Sequence, residues 1–285
     1  MTTQNEPIKS VAQFIDFVMT WNDKGSTPVA FRGQKFSEWS VEPKIFRDDV
    51  GLYEKEDDSI REIISIHPSE FESDNSMFDK LVRAQHFGLP TRLLDVTINP
   101  LVALWFATEE KTNENENDGA VFAFYVPESR KKYYDSDRVS CLANLAYLKI
   151  KDKNEIYNSL IENIKREQFN KKEAVKRLVY SVGMEKPHFK AKVIPSDLMK
   201  AVYVKPKMSN KRIVAQSGSF MLYGYKPNNF YSDEEPVRVK KIIIEEGYKF
   251  KIRYELNKIG ISESTLFPEI DKAAKFIADY FSSNI

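Results

Sequence analysis

Apolar residues recur at helical spacing early in the chain. Val11, Phe14, Ile15, Val18 and Trp21 share one face, and Ser10 with Gln13 reads as a capping box that starts the helix. A turn over Asn22–Thr27 leads into a short strand at Pro28–Arg32. The charged stretch 47–58 reads as a loop, followed by a helix over Ile60–Ile66 that Pro68 ends. Phe78, Leu81, Val82 and Gln85 mark the face of a helix stopped by Gly88 and Pro90. Asn99 caps a further helix with Pro100 at its first position and a stripe of Leu101, Leu104, Trp105 and Thr108.

The second half changes character. The polar run Lys111–Asp118 reads as an exposed loop. Ala120–Val126 is continuously apolar and β-prone, which predicts a buried strand. Residues 129–185 are rich in Lys and Glu. Helices over Leu142–Ile150 and Ile156–Tyr180 predict a helical insertion or cap that partly covers the functional cleft and is less protected than the sheet. Strands follow at Met199–Val204, Phe220–Gly224 and Val237–Ile244, with a polar segment at Asn228–Pro236. Lys249–Ile259 fits either period: Phe250, Ile252, Tyr254 and Leu256 alternate, while Ile252, Leu256 and Ile259 suit a helix. A last helix after Pro268 places Ile270, Ala273, Ala274, Ile277 and Phe281 on one face. The expected class is α+β: a central, mostly antiparallel or mixed sheet flanked by helices. The expected organisation is one domain over 1–285, with a core motif at 27–125, the helical insertion at 129–185 and C-terminal strands and helix at 199–285.

Charge adds little direction. Lys plus Arg number 43 against 42 Asp plus Glu, so bulk electrostatics do not favour nucleic acid. Lys205, Lys207, Lys211 and Arg212 do form a local basic stretch, which keeps nucleic acid open as a partner. The single cysteine, Cys141, has apolar neighbours and reads as a buried thiol, and one cysteine builds no disulfide or Cys-rich zinc site. His67, His86 and His188 lack metal-ligand spacing, so no metal is expected. A polar start and the absence of a long apolar run point to a cytoplasmic protein without a membrane partner.

Three strings could carry chemistry. In Phe31-Arg32-Gly33-Gln34, a guanidinium at a strand end beside glycine suits an anion site, because Gly lets a ligand approach the backbone; an Arg–carboxylate pair is the plainer alternative. The second string runs from Ala84 to Asp95. Gln85 falls on an apolar stripe, and His86 closes a helix where the dipole favours imidazolium. Arg92 and Asp95, read as loop residues, either pair with each other or serve a site in which Thr91 and Arg92 face a phosphate and Asp95 holds Arg92. The third string, Asn210 to Phe220, offers Gln216 to a ligand amide or hydroxyl, or uses it as an ordinary turn residue.

These strings resemble the FRG domain, named for its phenylalanine-arginine-glycine start. The likeness rests on Phe31-Arg32-Gly33-Gln34, on Gln85-His86-Phe87-Gly88-Leu89-Pro90-Thr91-Arg92-Leu93-Leu94-Asp95, on Asn99-Pro100-Leu101-Val102-Ala103-Leu104 and on Asp118-Gly119-Ala120-Val121. It is strong over 27–125 and weaker to 272. Val96 stands where an aromatic residue is common. The resemblance suggests a comparison with ADP-ribosyltransferases, whose first strand ends in an aromatic-Arg-Gly string that holds a phosphate of NAD; Arg32 matches that role. It implies NAD as a substrate or ligand, with Arg32, Gly33, Gln34, Gln85, Thr91, Arg92 and Asp95 binding it and Gln216 and His86 as catalytic candidates. It also implies a role in bacterial or phage conflict. The family's late catalytic Glu has no counterpart between Asn210 and Tyr225, where Gln216 and Ser219 stand. A non-catalytic module that binds a nucleotide or a protein partner is therefore the alternative, and a nucleic-acid-acting protein the third.

Overall fold

The computed structural model describes residues 8–22, 25–109, 117–208, 210–226 and 235–268. Most of the loop expected at 111–118, most of the polar segment 228–236 and the helix expected after Pro268 lie outside the described residues. Among the described residues the architecture is α+β. One seven-stranded sheet runs in the order β4-β5-β6-β2-β1-β3-β7. Its strands are β1 (Ala30–Gln34), β2 (Leu93–Thr97), β3 (Gly119–Tyr125), β4 (Lys131–Tyr133), β5 (Val202–Lys205), β6 (Gly218–Leu222) and β7 (Arg238–Ile244). Only β4 and β5 are parallel; every other neighbouring pair is antiparallel.

Side-chain alternation sorts β1 between two faces. Phe31 joins a core with Val102, Trp105, Val121 and Ile252. Ala30 joins Leu94, Phe122, Tyr203 and Met221 on the other face. On the first face the helix Pro100–Ala107 lies almost against the backbone of β1 and β3. A Cβ on Gly33 would stand 1.8 Å from the Ala103 carbonyl oxygen, and one on Gly119 would stand 2.0 Å from that of Ala107. The glycine of the Phe-Arg-Gly string is thus fixed by helix packing. That close approach requires glycine there whether or not a ligand approaches it.

Several elements differ from the sequence reading. Leu93–Thr97 is a strand where a loop was expected. The helix after the charged stretch begins at Glu56, with Glu56 and Asp57 buried. The single helix read over Ile156–Tyr180 is broken, because the chain turns at Asn163 with φ of 50° and continues as a short helix Arg166–Phe169 and then Glu173–Glu185. The ambiguous 249–259 segment is helical from Glu246 to Lys258, burying Ile252 and Leu256 and leaving Phe250 and Tyr254 exposed. Residues 129–185 contribute Leu142, Leu145, Ile156, Phe169, Leu178 and Val182 to the largest core, which they share with Phe78, Leu93 and Phe220. Cys141 lies there too, and burial pushes its thiol pKa up to about 12.

A buried ionic cluster ties the halves of the chain together. Arg92 and Lys153 are fully buried and Glu56 is 1% exposed. Arg92 Nε donates to Glu56 Oε1 at 2.9 Å, and its Nη2 donates to Glu56 Oε2. Arg92 Nη1 donates to the Gly224 carbonyl at 2.6 Å, just past β6. Lys153 Nζ donates to Glu56 Oε2 at 3.0 Å and to the Tyr53 carbonyl at 3.1 Å. Burial alone would raise the Glu56 pKa, but Arg92 and then Lys153 outweigh it and hold the carboxyl below its ordinary range. Replacing Glu56 with Gln leaves two buried cations without their anion, which is expected to cost about 3–5 kcal/mol in denaturant melts. The sign of the pH effect follows: with a folded pKa below the unfolded one, the stabilisation is present above about pH 4.3 and fades as pH falls further. Acid melts should therefore narrow the gap between the parent and Glu56→Gln. The core position of Glu173–Glu185 also predicts amide exchange as slow as in β3, measurable by mass spectrometry.

Candidate functional site

The ladder between β1 and β2 is the weak seam of the sheet. β1 pairs with β3 over five consecutive positions, yet it meets β2 at one, Phe31 opposite Thr97. Beyond that pair Arg32 Nη1 donates to the Asp95 carbonyl at 2.7 Å, where a backbone rung would otherwise lie. The opening that results is a hollow of about 180 Å³ lined by Arg32, Gly33, Asp95, Val96, Gln216 and Arg212, among others. Its walls include residues of both side-chain parities, Arg32 with Val96 and Gly33 with Asp95, as a gap in a ladder requires. A second hollow of about 80 Å³ adjoins it and shares Asp95, Val96, Arg212 and Gln216; Gln85, His86 and Asn210 extend it.

Local structure explains how these residues arrive. Ser76 caps the helix Met77–His86 by accepting from the Asp79 N–H, and Gly88 at φ of 94° turns the chain out of it. Thr91 Oγ1 donates to Gln85 Oε1 and accepts from the Leu93 N–H at 3.2 Å, stapling the helix end to β2. Asn210 caps the short helix Lys211–Ala215, accepting from the Arg212 and Ile213 N–H groups. Thr97 Oγ1 donates to the Gln216 carbonyl at 2.7 Å, and Gln216 Nε2 donates to the Leu266 carbonyl at 3.1 Å.

Charge in the cleft is largely uncommitted. Among the described residues the Asp95 carbonyl is the sole hydrogen-bond partner of the Arg32 guanidinium, which makes no ion pair there, and its Nε is buried without a partner. Burial pushes the Arg32 pKa down; Asp95 opposes the shift and the Arg47 cation adds to it. Arg212 stacks on the Phe267 ring at 4.7 Å and has no carboxylate partner. The exposed Asp95 carboxylate makes no hydrogen bond or ion pair among the described residues.

Of the residues singled out from sequence, Arg32, Gly33, Gln85, His86, Asp95 and Gln216 line the joined hollows. Arg92 does not: the expected Arg92–Asp95 pair is absent, because Arg92 lies in the buried cluster with Glu56. Gln34 is buried, with its Nε2 donating to the Ser40 carbonyl at 3.3 Å, and Thr91 is buried against Gln85. None of residues 129–185 lines the cleft. Arg212 and Asn210 also line it; both lie in the third string, where only Gln216 was singled out. Lys207 of that same stretch is paired with Asp79 at 2.9 Å. No group of His, Cys, Asp and Glu among the described residues could hold a metal ion.

The model of the FRG domain matches residues 27–116. The chain carries an FRG domain. The match spans β1, β2 and the helix between Pro100 and Ala107, and so includes one full wall of the cleft; Arg212 and Gln216 of the other wall lie beyond it. Neither a curated protein nor a solved structure matches the chain. No helix of the described residues is long and apolar enough to cross a membrane.

The two motif arginines have opposite duties, and melting should separate them. Arg32→Ala removes a half-buried cation without an ion pair, so its melting temperature is expected within a few degrees of the parent. Asp95→Ala is expected to be similarly mild, since Arg92 never depended on it. Thermal denaturation of Arg32→Ala, Asp95→Ala and Arg92→Ala side by side checks this, with only the last unfolding far below the parent.

Proposed function

We propose that the FRG cleft binds the phosphate–sugar portion of a nucleotide. One observation carries the reading: a guanidinium in a strand gap with a single hydrogen bond and no ion pair among the described residues. Phosphate is the group that a planar fork of donors suits. Arg212 supplies a second cation across the hollow. The free carboxylate of Asp95 is an acceptor for sugar hydroxyls, and Gln216 Oε1 is available for a donor because its amide nitrogen is engaged with Leu266. The volume suits a phosphate with its sugar, so the base of the ligand would extend outside it.

An NAD-consuming activity is a second reading, and Asp95 favours it. Gln216 is an amide and cannot supply the negative charge that a developing oxocarbenium ion needs, whereas Asp95 can. In such a step the bond from nicotinamide to ribose breaks, its electron pair leaves with nicotinamide, and a nucleophile bonds to the sugar carbon. His86 at the far end of the cleft is placed among the ligand-facing residues in this reading. A part in bacterial or phage conflict belongs to the same proposal.

Calorimetric titration with ADP-ribose, NAD and AMP tests the binding claim. The parent is expected to bind at least one of them, and Arg32→Ala to lose about 1.5–3 kcal/mol, roughly tenfold or more in affinity. Equal binding by Arg32→Ala would remove the main support. Nicotinamide release from NAD by the purified chain with cell lysate, compared with Asp95→Asn, separates turnover from binding alone.

A further inference from the structure

A larger cavity shares no lining residue with the FRG cleft, although its Arg47 stands near enough to Arg32 to lower that group's pKa. It holds about 820 Å³. Phe46, Tyr53, Tyr157 and Tyr225, drawn from four segments, give it aromatic walls. The rings are held in place: Phe46 and Tyr53 pack at 5.4 Å, Tyr157 and Tyr225 at 5.2 Å, and the Tyr225 hydroxyl donates to the Lys153 carbonyl at 3.0 Å. Such a cavity is formed before any ligand arrives.

Its electrostatics are one-sided. The buried cluster that backs it holds two cations, Arg92 and Lys153, against one anion, Glu56. Arg92 lies 5.9 Å from the Phe46 ring centre and Lys153 lies 4.6 Å from that of Tyr53, so excess positive charge sits directly against two of the walls. Arg47 lines the cavity, and its guanidinium has no hydrogen bond or ion pair, with Nε buried and unsatisfied. At the rim Lys226 is neutralised by Asp48 at 2.7 Å, and exposed Glu54 is the one other acid among the lining residues. A buried donor without a partner is costly, and an anion at Arg47 would satisfy it.

We propose that this cavity is a second binding site, for a small molecule that joins a flat aromatic ring to an anionic group. The ring stacks among Tyr53, Tyr157 and Tyr225, and the anion meets Arg47. A nucleoside monophosphate and an aryl carboxylate share that chemistry. The proposal does not depend on the reading of the FRG cleft.

Titration of the Arg32→Ala chain, whose cleft is weakened as an anion site, favours the signal of this cavity, and the Arg47 and Asn154 variants assign it. The probes are AMP and salicylate, which carry ring and anion, adenosine, which carries the ring, and inorganic phosphate, which carries the anion. AMP or salicylate is expected to bind at one site at least tenfold more tightly than adenosine or phosphate. Which of the two binds identifies the source of the chemistry. Arg47→Ala added to that chain should weaken binding at least tenfold, and Asn154→Trp, which fills the cavity from an exposed helix position, should abolish it. The same two variants compared in the otherwise unaltered chain keep the test valid if Arg32→Ala does not fold. No saturable binding of AMP or salicylate at millimolar concentration overturns the proposal, as does binding indifferent to both Arg47→Ala and Asn154→Trp.

Discussion

The buried cluster of Glu56, Arg92 and Lys153 is the constraint on which the rest of the structure depends. Its members come from a helix that opens at Glu56, from the start of β2 and from the helix Ile150–Ile161, separated by 36 and 97 positions along the chain. Nothing local holds them together. Charges this deeply buried persist only when each finds its partner and its remaining donors are met, and here the carbonyls of Tyr53, Tyr223 and Gly224 complete the set. By fixing the position of Arg92, the cluster sets where β2 begins, and Leu93–Thr97 can then pair in full with β6. The cluster is thus upstream of the cleft although it takes no part in it.

β2 is committed to β6 along its whole length and to β1 at a single position. The helix Pro100–Ala107 meanwhile pins β1 and β3 through Gly33 and Gly119, so β1 is held from its own side. The seam between two firmly anchored units is where a sheet opens at least cost. Arg32 occupies that seam with a side-chain hydrogen bond in place of a backbone rung. A functional cleft built this way needs no mobile lid: its shape follows from which rungs are absent.

Much of the architecture was legible in the chain. The helical stripes ahead of Trp21 and Phe87, the cap at Asn99-Pro100 and the apolar run Ala120–Val126 each gave their element because local period and capping agreed. The misread parts share a physical cause. Glu56 looked like one acid in a charged loop, since its burial depends on Arg92 and Lys153, which no local pattern reveals. Leu93–Thr97 is five residues long and follows a Gly-Leu-Pro turn, so it looked like a continuation of the loop. The polar, Lys- and Glu-rich composition of 129–185 reflects the solvent side of its helices, while the apolar side, with Leu142, Ile156, Phe169 and Leu178, is core. In the site, the residues of the Phe-Arg-Gly and Gln-His strings could be found from sequence. Arg212 lay within the third string but was not singled out, because its place in the cleft is made by the pairing of β6 with β2.

The contrast between Arg32 and Arg92 shows why motif residues of one type should not be assigned one role. Arg32 stands inside β1 and Arg92 just ahead of β2, and both were candidates for the same phosphate. Arg92 is fully buried and makes four hydrogen bonds, two to a carboxylate and two to carbonyls. A ligand anion there would have to displace Glu56 and leave a buried carboxylate behind, which costs more than a phosphate contact returns. Arg32 has the opposite balance. Its burial disfavours the charge, Asp95 offsets only part of that while Arg47 adds to it, and one carbonyl is its hydrogen-bond partner among the described residues. A cation kept in that state is destabilised until an anion reaches it, so binding there recovers free energy that the free chain lacks. The same reasoning separates structural from functional charge throughout this fold: the completed ion pairs hold it together, and the incomplete ones are where a ligand can act.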